Sequence, residues 1–447
     1  MQDAGRPFAV THRSVLGIAV PMTLAYATTP LLGIVDTAVV GQFGDPALIG
    51  GLAAGALVFD VVFSSFNFVR SGTTGLVAQA FGRGDEVEQQ AVFWRALAIA
   101  VVLGLAMLLS APFVSAAGQR FMGAEPRVSE ALDIYVRIRL VGAPLALINF
   151  AVLGYVLGRG EGALALSLQL LLNGVNIVLS IALGLWLGWG VGGVAWGTVA
   201  GEACAAVVGM AMLAARFRRQ ERVPRARLLE LDALLRMIAI NRDIMIRSFA
   251  LLVAYALFTR QGAAFGTVTL AANAVLMNFF MAMSFFLDGF ATAAEQLAGR
   301  ALGARDASAF RRVVRLTAMW GFGIAGVAVV LVLAFGDALI GLTTTSLQVQ
   351  TTAAEFLPFA ALAALSGVLA FQMDGVYIGA TWSVPMRNTM LISLVAMVAA
   401  MALLTGPLGN HGLWLSLHAW LLVRGLSLLA LLPGQTAKTF QSVLPAQ

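Results

Sequence analysis

The stretch Pro21-Met-Thr-Leu-Ala-Tyr-Ala-Thr-Thr-Pro30-Leu-Leu-Gly-Ile-Val-Asp36-Thr-Ala-Val-Val-Gly41 decides what kind of protein this is. It lies in an apolar run long enough to cross a bilayer, yet it carries two prolines and one acid. An ionised Asp in the middle of a membrane helix costs about 2.5–3.5 kcal/mol on insertion scales. Asp36 is therefore expected to face a water-filled cavity or a polar partner. A proline removes a backbone donor, so Pro21 and Pro30 mark places where the helix can bend. The reading is a helix whose shape responds to the charge of Asp36. The competing reading is that Asp36 lies near the headgroups and simply ends the helix.

Composition extends this to the whole chain. Hydrophobic residues make up 60% and charged residues 11% of 447 residues, against about 25% charged in a soluble domain. This is an integral membrane protein with room for about twelve helices at roughly 20 residues each. The apolar runs are continuous, which excludes a β-barrel with its alternating strands. The net charge of +6 would suggest nucleic acid in a soluble protein. Here the arginines concentrate in loops, so no nucleic-acid partner is expected. The single Cys204 forms no internal disulfide, and no Cys/His spacing marks a metal site. His12, His411 and His418 are scattered and read as structural. The short N-terminus, with Arg6 and Arg13, shows no convincing cleavage site, so the first helix is expected to be retained.

Hydropathy places helices at about 14–40, 46–81, 91–117, a fourth ending near 157, then 163–187 and 191–215. The second half follows with about 235–261, 267–297, 313–335, 348–379, 387–404 and 411–432. The expected organisation is an N-terminal six-helix bundle over 1–215, an Arg-rich linker over 216–234 and a C-terminal six-helix bundle over 235–447. Arginines fill alternate loops (Arg83; Arg159; the linker; Arg300 to Arg312), which predicts cytoplasmic termini in the inner (plasma) membrane.

The two halves repeat. Gly82-Arg-Gly-Asp85 and Gly303-Ala-Arg-Asp306 stand 221 positions apart. The same offset lays Phe150-xxx-Gly154-xxx-Gly158 on Phe371-xxx-Gly375-xxx-Gly379 and Gly41 on Gly262. Six helices per half give both halves one orientation, hence a pseudo-two-fold axis along the membrane normal and a cavity between bundles. The paired glycines read first as close helix packing. At this offset Asp36 falls on Leu257, so the acid belongs to the first half alone.

The segments Val35-Asp36-Thr37-Ala-Val-Val-Gly41, Thr73-Thr74-Gly-Leu-Val-Ala-Gln79-Ala-Phe-Gly82, Asn241-Arg-Asp-Ile-Met-Ile-Arg247, Leu270-Ala-Ala-Asn273-Ala-Val-Leu276 and Asp288-Gly-Phe-Ala-Thr-Ala-Ala-Glu295 resemble the multidrug and toxic compound extrusion (MATE) family, DinF-like branch. The resemblance covers nearly the whole chain. It implies an all-α membrane protein whose two six-helix bundles form a V, and export of organic molecules by alternating access against inward H⁺ or Na⁺. Asp36 resembles the family's coupling acid and Pro21 its bending proline. The resemblance also implies a pocket to which Asn176 and Thr198 contribute, with Ser180 standing where a second acid is usual. One carboxylate among neutral oxygens is a poor cage for a hard cation but an adequate proton site, so H⁺ is favoured over Na⁺ and no cofactor is expected.

Other charged residues in apolar surroundings are Asp60, Arg70, Glu202, Arg247, Arg260, Asp288, Glu295 and Asp374. Mutual pairing is the preferred reading for Arg247, Glu202 and Glu295. Asp288 and Asp374 serve equally well as substrate or gate contacts, and Tyr26 and Tyr155 are candidates to line a cavity. A monomeric antiporter of lipophilic or cationic compounds, with the bilayer and small organic substrates as partners, accounts for these features. Alternatives are a Na⁺-coupled exporter or a flippase for a lipid-linked substrate, which would need several cavity cations. A membrane enzyme would need a nucleophile, base or metal cluster that the chain does not supply.

Overall fold

The computed structural model describes residues 9–123 and 125–441, and these are helical without a single strand. Arg6 lies outside the described residues. Helix α1 (His12–Gly41) runs unbroken through Pro21 and Pro30. α2 (Pro46–Ser64) and α3 (Phe68–Gly82) are joined by a 3₁₀ turn at Ser65–Asn67 into one long rod. α4 (Glu86–Met122) follows, then α5 (Pro126–Val141) and α6 (Ala143–Gly158), bent by 49° at Gly142. α7 (Gly162–Leu179) widens into a π-helical turn, Ser180–Trp186. α8 (Gly190–Phe217) leads through the four-residue α9 (Arg225–Leu228) to α10 (Leu231–Ala264). α11 (Thr267–Gly303), α12 (Ala307–Thr343), α13 (Leu347–Gly379) and α14 (Ser383–Gln441) complete the chain.

Nine of the described helices are long and apolar enough to cross a membrane, and the bent pair α5–α6 makes a tenth span. α14 is two helices broken at Gly409, whose φ of 54° and ψ of −129° no helix accommodates. α10 is 34 residues long, enough to span, but carries Arg236, Arg242, Asp243, Arg247 and Arg260. Counted so, about twelve spans are present, matching the hydropathy reading. Exposed apolar side chains such as Leu109 and Phe113, each 77% exposed, fit a lipid solvent rather than water.

Contacts divide the chain into two compact units, Leu24–Asn241 and Met1–Thr23 with Arg242–Gln447. Both boundaries fall inside helices, α1 and α10, and the arginine-rich stretch 216–234 belongs to the first unit. The start of α1 joins the second unit through a glycine on α11: a Cβ at Gly289 would lie 2.0 Å from the Thr23 hydroxyl and 2.8 Å from the Ala19 carbonyl.

The internal repeat is exact at the level of contacts. A Cβ on Gly154 would meet the Arg70 carbonyl at 2.8 Å, and one on Gly375 the Ala291 carbonyl at 2.1 Å. Gly158 sits likewise on the Thr74 carbonyl and Gly379 on the Glu295 carbonyl. Asp85 caps α4 by accepting from the Glu88 amide at 2.9 Å, and Asp306 caps α12 by accepting from the Ala309 amide at 2.8 Å. Gly84 and Gly160 take positive φ, and their repeat mates Arg305 and Thr381 keep it, at 56° and 57°. Each of these pairs stands at the offset of 221. The glycines serve close helix packing.

Candidate ion-coupling site

Asp36 lies towards the end of α1 and is 8% exposed. α8 turns Gly193, Gly197 and Gly201 towards α7 and its π turn. A Cβ on Gly197 would come within 2.6 Å of the Ser180 nitrogen, and one on Gly201 within 2.7 Å of the Leu172 carbonyl. A Cβ on Gly193 would come within 2.5 Å of the Gly184 nitrogen. This i, i+4, i+8 series lets the two helices touch backbone to backbone. It thereby brings Thr198 to the same level as Asn176 and Ser180. Ser180 begins the π turn, a distortion often found at functional sites.

The polar groups are enclosed. Asn176 is 1% and Ser180 0% exposed, and Thr198 8%. The Ser180 hydroxyl donates to Asn176 Oδ1 at 2.9 Å, and the Thr198 hydroxyl to the Val194 carbonyl at 3.2 Å. One turn away, Asn173 Nδ2 donates to the Thr28 hydroxyl at 2.7 Å, fastening α7 to α1. Ser180 and Arg139 are the polar and charged neighbours that act on Asp36. Among the described residues, Asp36 Oδ1 and Asn176 Nδ2 are buried without a partner. A buried polar atom left over costs about 1–3 kcal/mol. Asp36, Asn176, Ser180 and Thr198 all lie in the compact unit Leu24–Asn241, and the Ser180 hydroxyl joins Asn176 directly.

Arg139 belongs to the same region and was not anticipated from sequence. Its guanidinium is 2.9 Å from Glu202 on α8, both side chains 8% exposed, and lies 4.1 Å above the Phe59 ring. Asn149 Nδ2 holds the Glu202 carbonyl at 2.8 Å. Asp60, exposed on α2, also feels the Arg139 charge. Arg137, two residues before it, pairs with Asp133 and is half exposed.

The family model described as MatE matches residues 21–182 and 244–404, one segment in each half. The chain belongs to the MATE family. It is a multi-pass membrane transporter and not an enzyme. It is similar to the DNA damage-inducible protein F of Escherichia coli K12, at 35% identity over 94% of this chain and 92% of that protein. The probable multidrug resistance protein NorM of Chromobacterium violaceum is 23% identical over 93% of this chain and 92% of its own. Among solved structures, a transporter of the MOP superfamily from Pyrococcus furiosus superposes with a TM-score of 0.88, covering 96% of each chain at 18% identity. An outward-facing multidrug resistance MATE family transporter gives 0.86 at 18% identity, covering 96% of this chain and 97% of that one. Both share the fold.

The other expected positions of this MATE protein fall differently. Pro21 is half-buried on α1, between Ala19 and Thr23, the residues that meet Gly289. Asp288, the residue before that glycine, is half-buried on α11, and Tyr26 is half-buried on α1. Tyr155 has no exposed surface and packs edge-on against Phe93 and Phe217. Asp374 is 4% exposed and engaged by both Arg247 and Arg424. In this conformation neither Tyr155 nor Asp374 presents a surface to a substrate. Arg424, 1% exposed and flanked by the Trp420 and Phe371 rings, gave no sequence signal beyond its place in a hydrophobic run.

Proposed function

We propose that this MATE protein exports lipophilic or cationic organic compounds by alternating access in exchange for protons, with Asp36 as the coupling carboxylate. The observation that carries this is the set of buried polar residues on α1, α7 with its π turn, and α8: one carboxylate, Asp36, and the neutral groups of Asn176, Ser180 and Thr198. Among the described residues, the other buried acid of this unit, Glu202, is already held by Arg139. A Na⁺ site needs several well-placed oxygens, and Ser180 supplies only a neutral hydroxyl where the family resemblance puts a second acid. A carboxyl that takes up and releases a proton needs only intermittent access to water. Pro21 supplies the place where α1 can change shape. The name of the NorM relative supports organic compounds as substrates. We further propose a monomer in the plasma (inner) membrane with cytoplasmic termini and no cofactor.

A flippase for a diphosphate-linked lipid is less well supported, because Arg139, Arg247 and Arg424 each face an acid rather than an open space. The test is export of a lipophilic cation from proteoliposomes under a pH gradient or a Na⁺ gradient alone. Asp36→Asn is expected to abolish pH-driven export while the protein stays monodisperse. Export retained by that variant, or Na⁺-driven export that survives an uncoupler, would overturn the proposal.

A further inference from the structure

At the start of α12, Arg311, Arg312 and Arg315 line a cavity of about 570 Å³ together with His12, Leu316 and Met319. All lie within one compact unit. The three arginines are exposed, and among the described residues none is in an ion pair. The closest acid in sequence, Asp306, spends its Oδ1 on the Ala309 amide and the Ser308 hydroxyl to cap the helix. A solvated arginine face needs neither a cavity nor an apolar floor. Here Leu316 is buried beneath the cations and Met319, 48% exposed, continues their face one turn on.

Helical geometry extends that face. Arg312, Arg315, Met319, Phe322 and Val330 fall on one side of α12 at intervals of three, four or eight residues. Met319, Phe322 and Val330 are 48%, 43% and 66% exposed. The change from cation to apolar side chain, Arg315 to Met319, takes four residues, or about 6 Å of helix. That matches a headgroup layer of about 5–8 Å on each side of the hydrocarbon. Trp320 anchors the level: it stacks on Phe290, and its indole N–H donates to His12 Nδ1 at 3.1 Å. With Nδ1 accepting, Nε2 is the ring nitrogen left to donate into the cavity.

We propose that His12, Arg311, Arg312 and Arg315 bind the phosphodiester headgroup of an anionic phospholipid, whose acyl chain lies along Met319 and Phe322. Guanidinium forks match phosphate oxygens in a bidentate manner. A soluble phosphate shares that chemistry, but the apolar floor and the exposed face below it favour a lipid.

The experiment is native mass spectrometry of the delipidated full chain in detergent. It is titrated with phosphatidylglycerol or with phosphatidylcholine of the same acyl chains, with and without millimolar inorganic phosphate. The wild type is expected to retain one phosphatidylglycerol where phosphatidylcholine does not bind, and phosphate should not displace it. The triple variant Arg311→Gln/Arg312→Gln/Arg315→Gln should bind about a hundredfold more weakly, and Arg315→Gln alone about fivefold. The exposed linker control Arg218→Gln/Arg219→Gln/Arg222→Gln should bind as the wild type does. Equal retention of both lipids, an unchanged triple variant, or an equal loss in the linker control would overturn the site. Displacement by inorganic phosphate would overturn the lipid assignment in favour of a soluble anion.

Discussion

Replacing Arg139 by Met removes a guanidinium that the structure uses twice, as the partner of Glu202 at 2.9 Å and over the Phe59 ring at 4.1 Å. Glu202 would then be left charged in a site where its side chain is 8% exposed. Its carboxylate packs against Gly142, where a Cβ would be only 2.8 Å from Glu202 Oε2. Breaking one side of a buried pair costs about 3–5 kcal/mol, whereas replacing both partners by apolar groups is often neutral or better. The expected pattern is a large loss for Arg139→Met, a similar loss for Glu202→Leu, and a double variant more stable than either single one. The coupling should reach about 3 kcal/mol, well above the ~0.5 kcal/mol expected of independent sites. The assay is equilibrium unfolding in mixed micelles, followed by Trp fluorescence across the four proteins. A loss below about 1 kcal/mol for Arg139→Met, or single effects that simply add, would show that the pair does not carry the burden argued from its burial.

Three further outcomes are expected. Pro21→Ala restores a backbone donor inside α1, so substrate binding should survive and turnover in proteoliposomes should fall; equal turnover would leave this proline without a switching role. Gly375→Ala forces a Cβ to 2.1 Å from the Ala291 carbonyl and should cost about 1–3 kcal/mol or more, whereas Gly174→Ala, which meets nothing within 4 Å, should stabilise by about 0.5–1 kcal/mol; comparing the two unfolding curves decides it. Asp306→Ala removes the α12 cap and should cost about 0.5–2 kcal/mol at neutral pH. The Ala309 amide and the Ser308 hydroxyl hold the Asp306 carboxyl below its ordinary value of 3.8. Its contribution is therefore present above that value and fades as pH falls through the lowered one, so the two proteins should converge in stability in acid.

The sequence alone determined the solvent and the plan of this protein. Continuous apolar runs admit only membrane helices. The offset of 221 residues already contained the glycine contacts and aspartate caps that both halves use, since a glycine or a cap acts through its own backbone. Asp36 was conspicuous as an acid in an apolar helix, and the family resemblance pointed to Asn176, Ser180 and Thr198, which the structure buries on α7, its π turn and α8. The series Gly193-xxx-Gly197-xxx-Gly201 was the available signal for why α7 and α8 meet there.

Tertiary structure alone decided which charges pair. Arg137 and Arg139 are two residues apart, about 200° around a helix, so one reaches Asp133 at an exposed position and the other is buried against Glu202. Nothing local distinguishes them. Asp374 meets Arg424 across 50 residues and Arg247 across 127, and those partners are selected by helix rotation and close approach. The start of α1 sits with the second unit because Gly289 leaves space for Ala19 and Thr23, a contact spanning most of the chain. Hydropathy specifies how much of a helix is buried. Which face it buries, and against whom, is set only when all the helices compete for the same neighbours.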